Sequence, residues 1–459
     1  MTSSPPNTRL SWARLIAFVA PWAPLGAVTL PATVFLPPLY AGHVGLGLVL
    51  VGQAAMASRL LDIVIDPFIG AASDATRTRW GRRRPWLIAG TPLFCLGAWF
   101  LFRPPADAGV VYFLAALFAT YLGSSLILVP HTAWASELSS SYDERSRVLG
   151  ANEWFNLLGV LAVAALAAGL EQAVQADLAR QMAAVGWLVT LSAPLAVAAC
   201  LRAAPDRVEA ADAPPVAAPR RWFHAAAVLG NGRFVTLSIV KFVNSVAEAV
   251  ASALWVFVAA DVLGLAHQAS TLLAIHIAMG FVAIPIWTTL SYRVGKRRAT
   301  ILALGWRVLL TPLLLVLPHG GFAPAAAFMA MVGLSLGAES SLLRAMVADV
   351  VDQHALDKGV RQAGIFQGTF NVISNLGKAL GVGIAYPALA LCGFSPEAAG
   401  AADHSRIAAL FYAFVPPLLN GLAALVLLRF DLSRADVARI QARLAERETS
   451  RFPSPSEPK

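Results

Sequence analysis

The run from Ser58 to Trp86, SRLLDIVIDPFIGAASDATRTRWGRRRPW, places Arg59, Asp62 and Asp66 inside an apolar stretch that ends in a basic loop. At about 100° per residue the three fall within roughly 60° of one another on a helix, so one stripe carries all of them. If the run crosses a membrane with Asp74 at its edge, Asp66 lies about 12 Å and Asp62 about 18 Å inside, near the middle of a core about 30 Å thick. An ionised side chain at that depth costs about 2.5 to 3.5 kcal/mol, so all three facing lipid would cost roughly 8 to 10 kcal/mol. The stripe must therefore face a protein interior. One Arg against two Asp leaves a negative charge in excess, which a proton or a small metal cation at Asp62 and Asp66 could neutralise. A structural ion-pair cluster is the alternative.

Other polar groups punctuate the apolar segments. His131 and Trp134 follow Pro130, and His131 either relays a proton, bonds a sugar-like hydroxyl, or serves only as an interhelical hydrogen-bonder. Glu153 and Trp154 open a later segment, where Trp154 stacks on a sugar ring or anchors at the interface. Lys241, Asn244 and Glu248 recur at i, i+3 and i+7, as one face requires; Asn244 and Glu248 are read as cavity-lining and Lys241 as snorkelling. Asn371, Asn375 and Lys378 repeat at i, i+4 and i+7, a stripe of donors and acceptors that suits hydroxyl-rich ligands or plain interhelical bonding. His276, Glu339 and Arg344 are further intramembrane polar groups; the last two, five apart on one helix, do not face each other and are each read as pairing across helices, as interdomain salt bridges near the cytoplasmic gate.

The elements that must position these groups are set by composition. Of 459 residues 58% are apolar and only 13% charged, with a mean hydropathy of +0.65, far from the quarter charged that a soluble domain needs. The chain reads as an all-α polytopic membrane protein. Its opening, MTSSPPNTRLSWARL, is too polar for a signal peptide, so the N-terminus is expected to start in the cytoplasm. The formal charge of +9 sits in short loops beside apolar runs, which argues for the positive-inside rule and against nucleic acid as a partner. Cys95, Cys200 and Cys392 lie far apart and imply neither a disulfide nor a metal cluster.

Twelve apolar segments fall near 13–40, 45–73, 86–103, 109–136, 148–170, 182–203, 233–260, 268–292, 299–318, 322–349, 362–391 and 405–429. The loops at 74–85 and 293–298 are rich in Arg and Lys, whereas the links at 41–44, 261–267 and 319–321 have none, so the basic face is expected to be cytoplasmic. The polar, Ala/Pro-rich stretch 204–232 divides an expected N-terminal bundle, 1–203, from a C-terminal one, 233–429, ahead of an amphipathic cytoplasmic tail, 430–459. The basic loop after the second segment has an echo, RVGKRR, after the eighth, as two parallel halves would show. The first segment holds five prolines, Pro21, Pro24, Pro31, Pro37 and Pro38, which imply kinks.

Three blocks carry a resemblance. Asp62, Asp66, Pro67, Gly70, Gly81 to Pro85 and Trp86 resemble the second-helix signature of the glycoside-pentoside-hexuronide:cation symporters, the melibiose permease relatives of the major facilitator superfamily. Ala348 to Gly364 is similar to that family's loop between the tenth and eleventh helices, and Pro130 with Glu137 to Arg145 to its loop after the fourth. The resemblance implies twelve transmembrane helices in two pseudo-symmetric six-helix bundles. It implies symport of a small polar solute, a sugar or glycoside, with H⁺ or Na⁺ by alternating access, without a further cofactor, in the inner membrane and as a monomer. Coupling would fall to Arg59, Asp62 and Asp66, and solute binding to His131, Glu153, Trp154, Asn244, Glu248, Asn371 and Asn375. Asp74, Arg82, Arg83, Arg84, Arg145, Asp349, Asp352 and Arg361 would hold the cytoplasmic gate.

The chain departs from that family's sugar grip at each position. The first helix has no acid, Leu128 stands where the fourth helix should carry one, Glu153 where an Arg is expected, and Asn375 where a Lys is expected. The nearest rival is a lysolipid transporter of the same fold. A polytopic membrane enzyme needs catalytic groups in a sizeable interfacial loop, and the loops opposite the basic face are too short for one.

Overall fold

Apolar runs of about 20 residues leave the backbone no partner in lipid but itself, so each closes into a helix. The computed structural model describes residues 10–105, 107–137, 142–203, 228–359, 362–392 and 402–451. Among the described residues, twelve helical spans are long and apolar enough to cross a membrane. They are α1 (Trp12–Val34), α2 (Leu48–Ala75), α3 (Arg84–Phe102), α4 (Val110–Ala135), α5 (Arg147–Val174) and α6 (Leu178–Ala203) in the first half. The second half supplies α7 (Gly232–Val262), α8 (Ala266–Val294), α9 (Lys296–Val316), α10 (Phe322–Lys358), α11 (Ile365–Leu391) and α12 (Ser405–Leu427). A thirteenth helix, α13 (Arg434–Arg451), follows.

The largest departure from the expected segments is at α10, which runs nine residues past position 349. Asp349, Asp352 and Asp357 end the apolar run there, but the helix continues to Gly359, whose φ of +73° provides the left-handed turn that stops it. The expected kinks in the first segment are present. Its helix breaks at Ala20–Pro21, resumes over Trp22–Val34, and ends in a π turn over Leu39–His43 just after Pro37 and Pro38.

Spans α1–α6 pack mainly among themselves, as do α7–α12, and the two bundles meet along α2 against α11, α5 against α8, and α1 against α7. Small residues set the closest approaches. A Cβ on Gly159 would lie 1.9 Å from the Ala23 carbonyl oxygen, and one on Gly26 2.1 Å from that of Asn156, so α1 and α5 touch backbone to backbone. At the seam, a Cβ on Gly52 of α2 would meet the Tyr386 ring of α11 at 2.8 Å.

The basic loop after α2 is pinned to its own bundle. Arg83 is 2% exposed and donates to Ser73 Oγ at 2.7 Å and to Asp74 Oδ1 at 2.5 Å, while the Arg84 guanidinium sits over the Trp134 ring. Arg82 lies in the same loop, half-buried. At the matching end of the second bundle, Lys296 binds both oxygens of Asp349, at 2.8 and 2.6 Å. Asp74 and Asp349 were expected to close a gate between bundles, but each pairs within its own. Arg83 opens the helix that follows Asp74 and Lys296 opens the helix that precedes Asp349's, each inside the same bundle as its acid, so a tilt of one bundle against the other leaves both pairs intact. Asp352 follows Asp349 by three residues on α10. The side chain of Arg145 and the whole of Arg361 lie outside the described residues.

The chain beyond α12 is strapped to the second bundle. Arg233 of α7 donates to both oxygens of Asp431, at 2.6 and 3.1 Å, Arg297 of α9 donates to the Phe430 carbonyl at 2.7 Å, and Arg434 to the Tyr292 carbonyl of α8 at 2.6 Å. The Arg233 hydrogen bonds hold the Asp431 carboxyl below the usual carboxylate range.

Candidate solute cavity and cation site

Between the bundles lies a cavity of about 380 Å³. From the first bundle it is walled by Thr29 and Thr33 of α1, Arg59 of α2 and Asn156 of α5. From the second come Lys241, Glu248 and Ser252 of α7, His276 of α8, Arg307 of α9, Glu339 and Arg344 of α10, and Asn371 and Lys378 of α11. Apolar surface is supplied by Trp255, Phe281 and Tyr412, among others. A concave, mixed wall with a few convergent polar groups is the usual form of a small-molecule site.

The charged groups of the second bundle form a connected set. Lys241 donates to Glu339 at 2.8 Å, and Arg307 approaches the other oxygen of Glu339 at 3.9 Å. Glu248 has Lys378, Lys241, Arg307 and His276 as its electrostatic neighbours. His276 Nδ1 lies 3.3 Å from the Met329 carbonyl and so carries the proton on that nitrogen. Sequence reasoning passed over Arg307. The signal was available, because an Arg in the run ILALGWRVLLTPLLLV is costly unless it faces the bundle interior.

Of the expected coupling trio, Arg59 reaches the cavity wall and also lies 5.9 Å from the Tyr121 ring of α4. Asp62 and Asp66 are not on that wall. They sit about 4.5 and 10.5 Å further along the helix, on the side away from the exposed Leu61, Val64 and Phe68. No ion pair within 4 Å joins Arg59 to either acid among the described residues. Asp66 Oδ1 is buried without a hydrogen-bond partner, and the Ser125 hydroxyl of α4 interacts with the same carboxyl. An orphaned carboxylate oxygen beside a second acid and a hydroxyl is a donor set suited to a hard cation or a proton. No cluster of three metal-ligating acids, histidines or cysteines occurs among the described residues.

Several expected wall residues are elsewhere. His131, 1% exposed, accepts from Trp22 Nε1 at 3.1 Å on Nδ1 and donates from Nε2 to the Phe18 carbonyl at 2.8 Å. Both ring nitrogens are thus consumed inside the first bundle, which is the interhelical role. Glu153 pairs with Arg344 at 3.0 Å across the seam and is half-exposed, because it lies one turn nearer the basic face than Asn156 and has left the cavity. Trp154 is 64% exposed and points away from the wall. Asn244 is fully buried off the cavity, its amide nitrogen and oxygen both without a partner. Asn375 is exposed and off the wall, whereas Asn371, one turn earlier, is on it.

At the face opposite the basic loops the seam is sealed by a carboxylate. Glu171 near the end of α5, 3% exposed, accepts from the backbone nitrogens of Ser270 at 3.0 Å and Thr271 at 2.7 Å and from Thr271 Oγ1 at 2.7 Å. Gln181 Oε1 accepts from Ser270 Oγ at 2.6 Å, and Gln172 donates to Thr271 Oγ1 at 3.0 Å. The N-cap residue of that α8 helix, Gln268, makes no side-chain cap of its own. Glu171 therefore caps α8 from the other bundle, satisfying two of its orphan N–H groups and opposing its dipole.

Two six-helix bundles around a central cavity define a membrane transporter of the major facilitator type, and solved structures agree on the fold. The nucleoside transporter NupG, as its D323A mutant, superposes with a TM-score of 0.67 at 12% identity over 90% of this chain and 99% of that one. The sequence profile described as MFS/sugar transport protein matches residues 17–434, so the chain belongs to that family and is a transporter rather than an enzyme. Among curated relatives, the isoprimeverose transporter of Lactiplantibacillus pentosus is 24% identical over 88% of this chain and 85% of its own length. The glucuronide carrier protein homolog of Escherichia coli (strain K12) is 27% identical over 31% of this chain and 32% of its own length. An uncharacterized symporter of Synechocystis sp. is 34% identical over 23% of this chain, and the match spans 21% of that relative.

Proposed function

We propose that the protein is a secondary active transporter that moves a sugar or glycoside together with H⁺ or Na⁺ by alternating access. The inter-bundle cavity carries this reading, because a void walled by hydroxyls, amides and ionised groups from both halves can be exposed to either side by rocking one half on the other. The isoprimeverose transporter and the glucuronide carrier homolog support the sugar-like solute by likeness. Asp62 and Asp66 are the proposed coupling acids, the Asp66 oxygen without a partner being the natural ligand for the cation. Arg59, which reaches the cavity from the same helix, links the acids to the solute. Binding of the cation then raises solute affinity, and linkage requires the solute to tighten the cation by the same factor.

In this scheme the basic face is cytoplasmic, both termini lie on it, and the protein works as a monomer in the inner membrane. With Glu171 sealing the opposite face, the conformation described is the one closed to the outside. A lysolipid is disfavoured by the family and by the size of the cavity, at the small end of the roughly 300 to 1,000 Å³ of small-molecule sites.

Uptake by purified protein in liposomes, under imposed proton or sodium gradients and across a panel of sugars and glycosides, tests the reading. Asp62→Asn and Asp66→Asn should each abolish gradient-driven accumulation while counterflow exchange persists. Undiminished accumulation in both variants would refute the coupling assignment.

A further inference from the structure

Two cations on the cavity wall have donors to spare. Arg307 is 7% exposed, and its only ion pair within 4 Å among the described residues is the 3.9 Å approach to Glu339, an oxygen beyond hydrogen-bond reach. Lys378 lies on the wall with no ion pair within 4 Å among the described residues; Glu248 is its main electrostatic neighbour. A guanidinium offers five N–H groups and an ammonium three, and withdrawing such ions from bulk water costs several kcal/mol unless acceptors replace it.

The acids nearby do not balance this set. Lys241 takes Glu339 at 2.8 Å, and Glu248 is shared among Lys378, Lys241 and Arg307. Three cations against two acids leave one positive charge in excess in the second bundle. Arg344 does not alter the sum, because Glu153 neutralises it across the seam. The far wall sets the neutral donors and acceptors Thr29, Thr33 and Asn156 together with one cation, Arg59.

We propose that the second bundle holds an anion subsite, in which Arg307 and Lys378 bind a negatively charged group of the solute, and that the transported solute is therefore an acidic glycoside. The proposal rests on reading the cavity as the solute site and specifies its chemical class. The planar fork of Arg307 takes two oxygens of a carboxylate or phosphate, and Lys378 adds a point charge. Asn371 and the neutral groups of the far wall take the ring hydroxyls. Glu248, the electrostatic neighbour of both cations, screens their repulsion and accepts a hydrogen bond from a ring hydroxyl. A neutral sugar in the same place would leave the buried cations without acceptors, and that omission is what gives a polar site its selectivity.

The test uses matched ligands that share one ring and differ in one group: a methyl glucoside, the corresponding uronate, and the 6-phosphate, with the galactose and xylose series beside them where they exist. Binding to purified protein is read by ligand-induced thermal stabilisation, and transport by competition in liposomes. A charged member should bind at least tenfold more tightly than its neutral counterpart, and the uronate and phosphate arms report which anion is taken. Arg307→Gln and Lys378→Gln should each erase most of that preference, the charged member losing at least tenfold more affinity than the neutral one. Asn371→Ala should weaken both members alike. Should Arg307→Gln not fold, Arg307→Lys keeps the charge without the fork and should lose preference partially, with Lys378→Gln as the independent arm.

Neutral members that bind and accumulate as well as the charged ones overturn the anion subsite and leave sugar transport standing. Variants that weaken both members equally, or neither, also overturn it. Failure of every member to bind or be transported overturns both readings.

Discussion

The two ends of the seam between the bundles are held by different chemistry. At the face opposite the basic loops, Glu171 is 3% exposed and accepts three hydrogen bonds from the first turn of α8. At the basic face, the described contact of like charge chemistry is Glu153 with Arg344, whose side chains are 51% and 46% exposed. Hydrogen bonds to a buried charge contribute about 1.5 to 3 kcal/mol each, whereas an exposed ion pair contributes roughly 0 to 1 kcal/mol. One end is a lock and the other a catch. The difference teaches that the conformational bias resides where water is excluded, not where the charges are densest in the sequence.

The largest expected effect comes from removing the lock. Glu171→Ala leaves two N–H groups of α8 uncapped and should shift the equilibrium by about 2 to 4 kcal/mol toward opening of that face. In a background free of other reactive thiols, labelling of Ala251→Cys on the cavity wall by a membrane-impermeant maleimide added from that face should rise at least tenfold. Unchanged labelling would mean that the close contact of α2 with α11 holds the face by itself. Next comes Gly159→Ala, which forces a Cβ into the Ala23 carbonyl. It should cost about 1 to 3 kcal/mol of stability in thermal unfolding without altering the labelling ratio, because α1 and α5 belong to one bundle.

Glu153→Gln breaks the catch and should change labelling less than about fivefold, an effect that 0.5 M salt in the wild type largely reproduces. The smallest effect belongs to Asp431, which crosses no seam. Its carboxyl is held below its ordinary range by Arg233, so its contribution to stability is present above about pH 4 and fades as the pH falls further. Asp431→Asn should flatten that part of the melting profile between pH 3 and 6, with no change in accessibility at either face.

The spans were legible because burying backbone in lipid demands long apolar helices, a signal that no tertiary contact overrides. The helix faces were partly legible. Arg59, Glu248 and Asn371 are on the wall, whereas Asn244 and Asn375, read on the same stripes as Glu248 and Asn371, are not. Glu153 was placed on the correct side of α5, since Asn156 one turn along does reach the cavity, but periodicity carries no depth and the wall ends before it. His131 could not be assigned, because its partners are an indole and a carbonyl more than 100 residues away. Glu171 left no trace at all in the pattern: what it recognises is backbone N–H, which every sequence has. Arg307 was visible as an isolated charge in an apolar run, but only the packing of the helices sets it on the cavity wall near Glu248 and Glu339.

The strap at the end of the chain has a practical consequence. Because Asp431, Phe430 and Arg434 are tied to α7, α9 and α8, and α13 lies against α10, this segment is anchored to the second half alone. A fluorophore carried on α13 would ride that half as a rigid outrigger, and paired with a dye on the loop pinned by Arg83 it would turn each rocking stroke into a distance readable one molecule at a time.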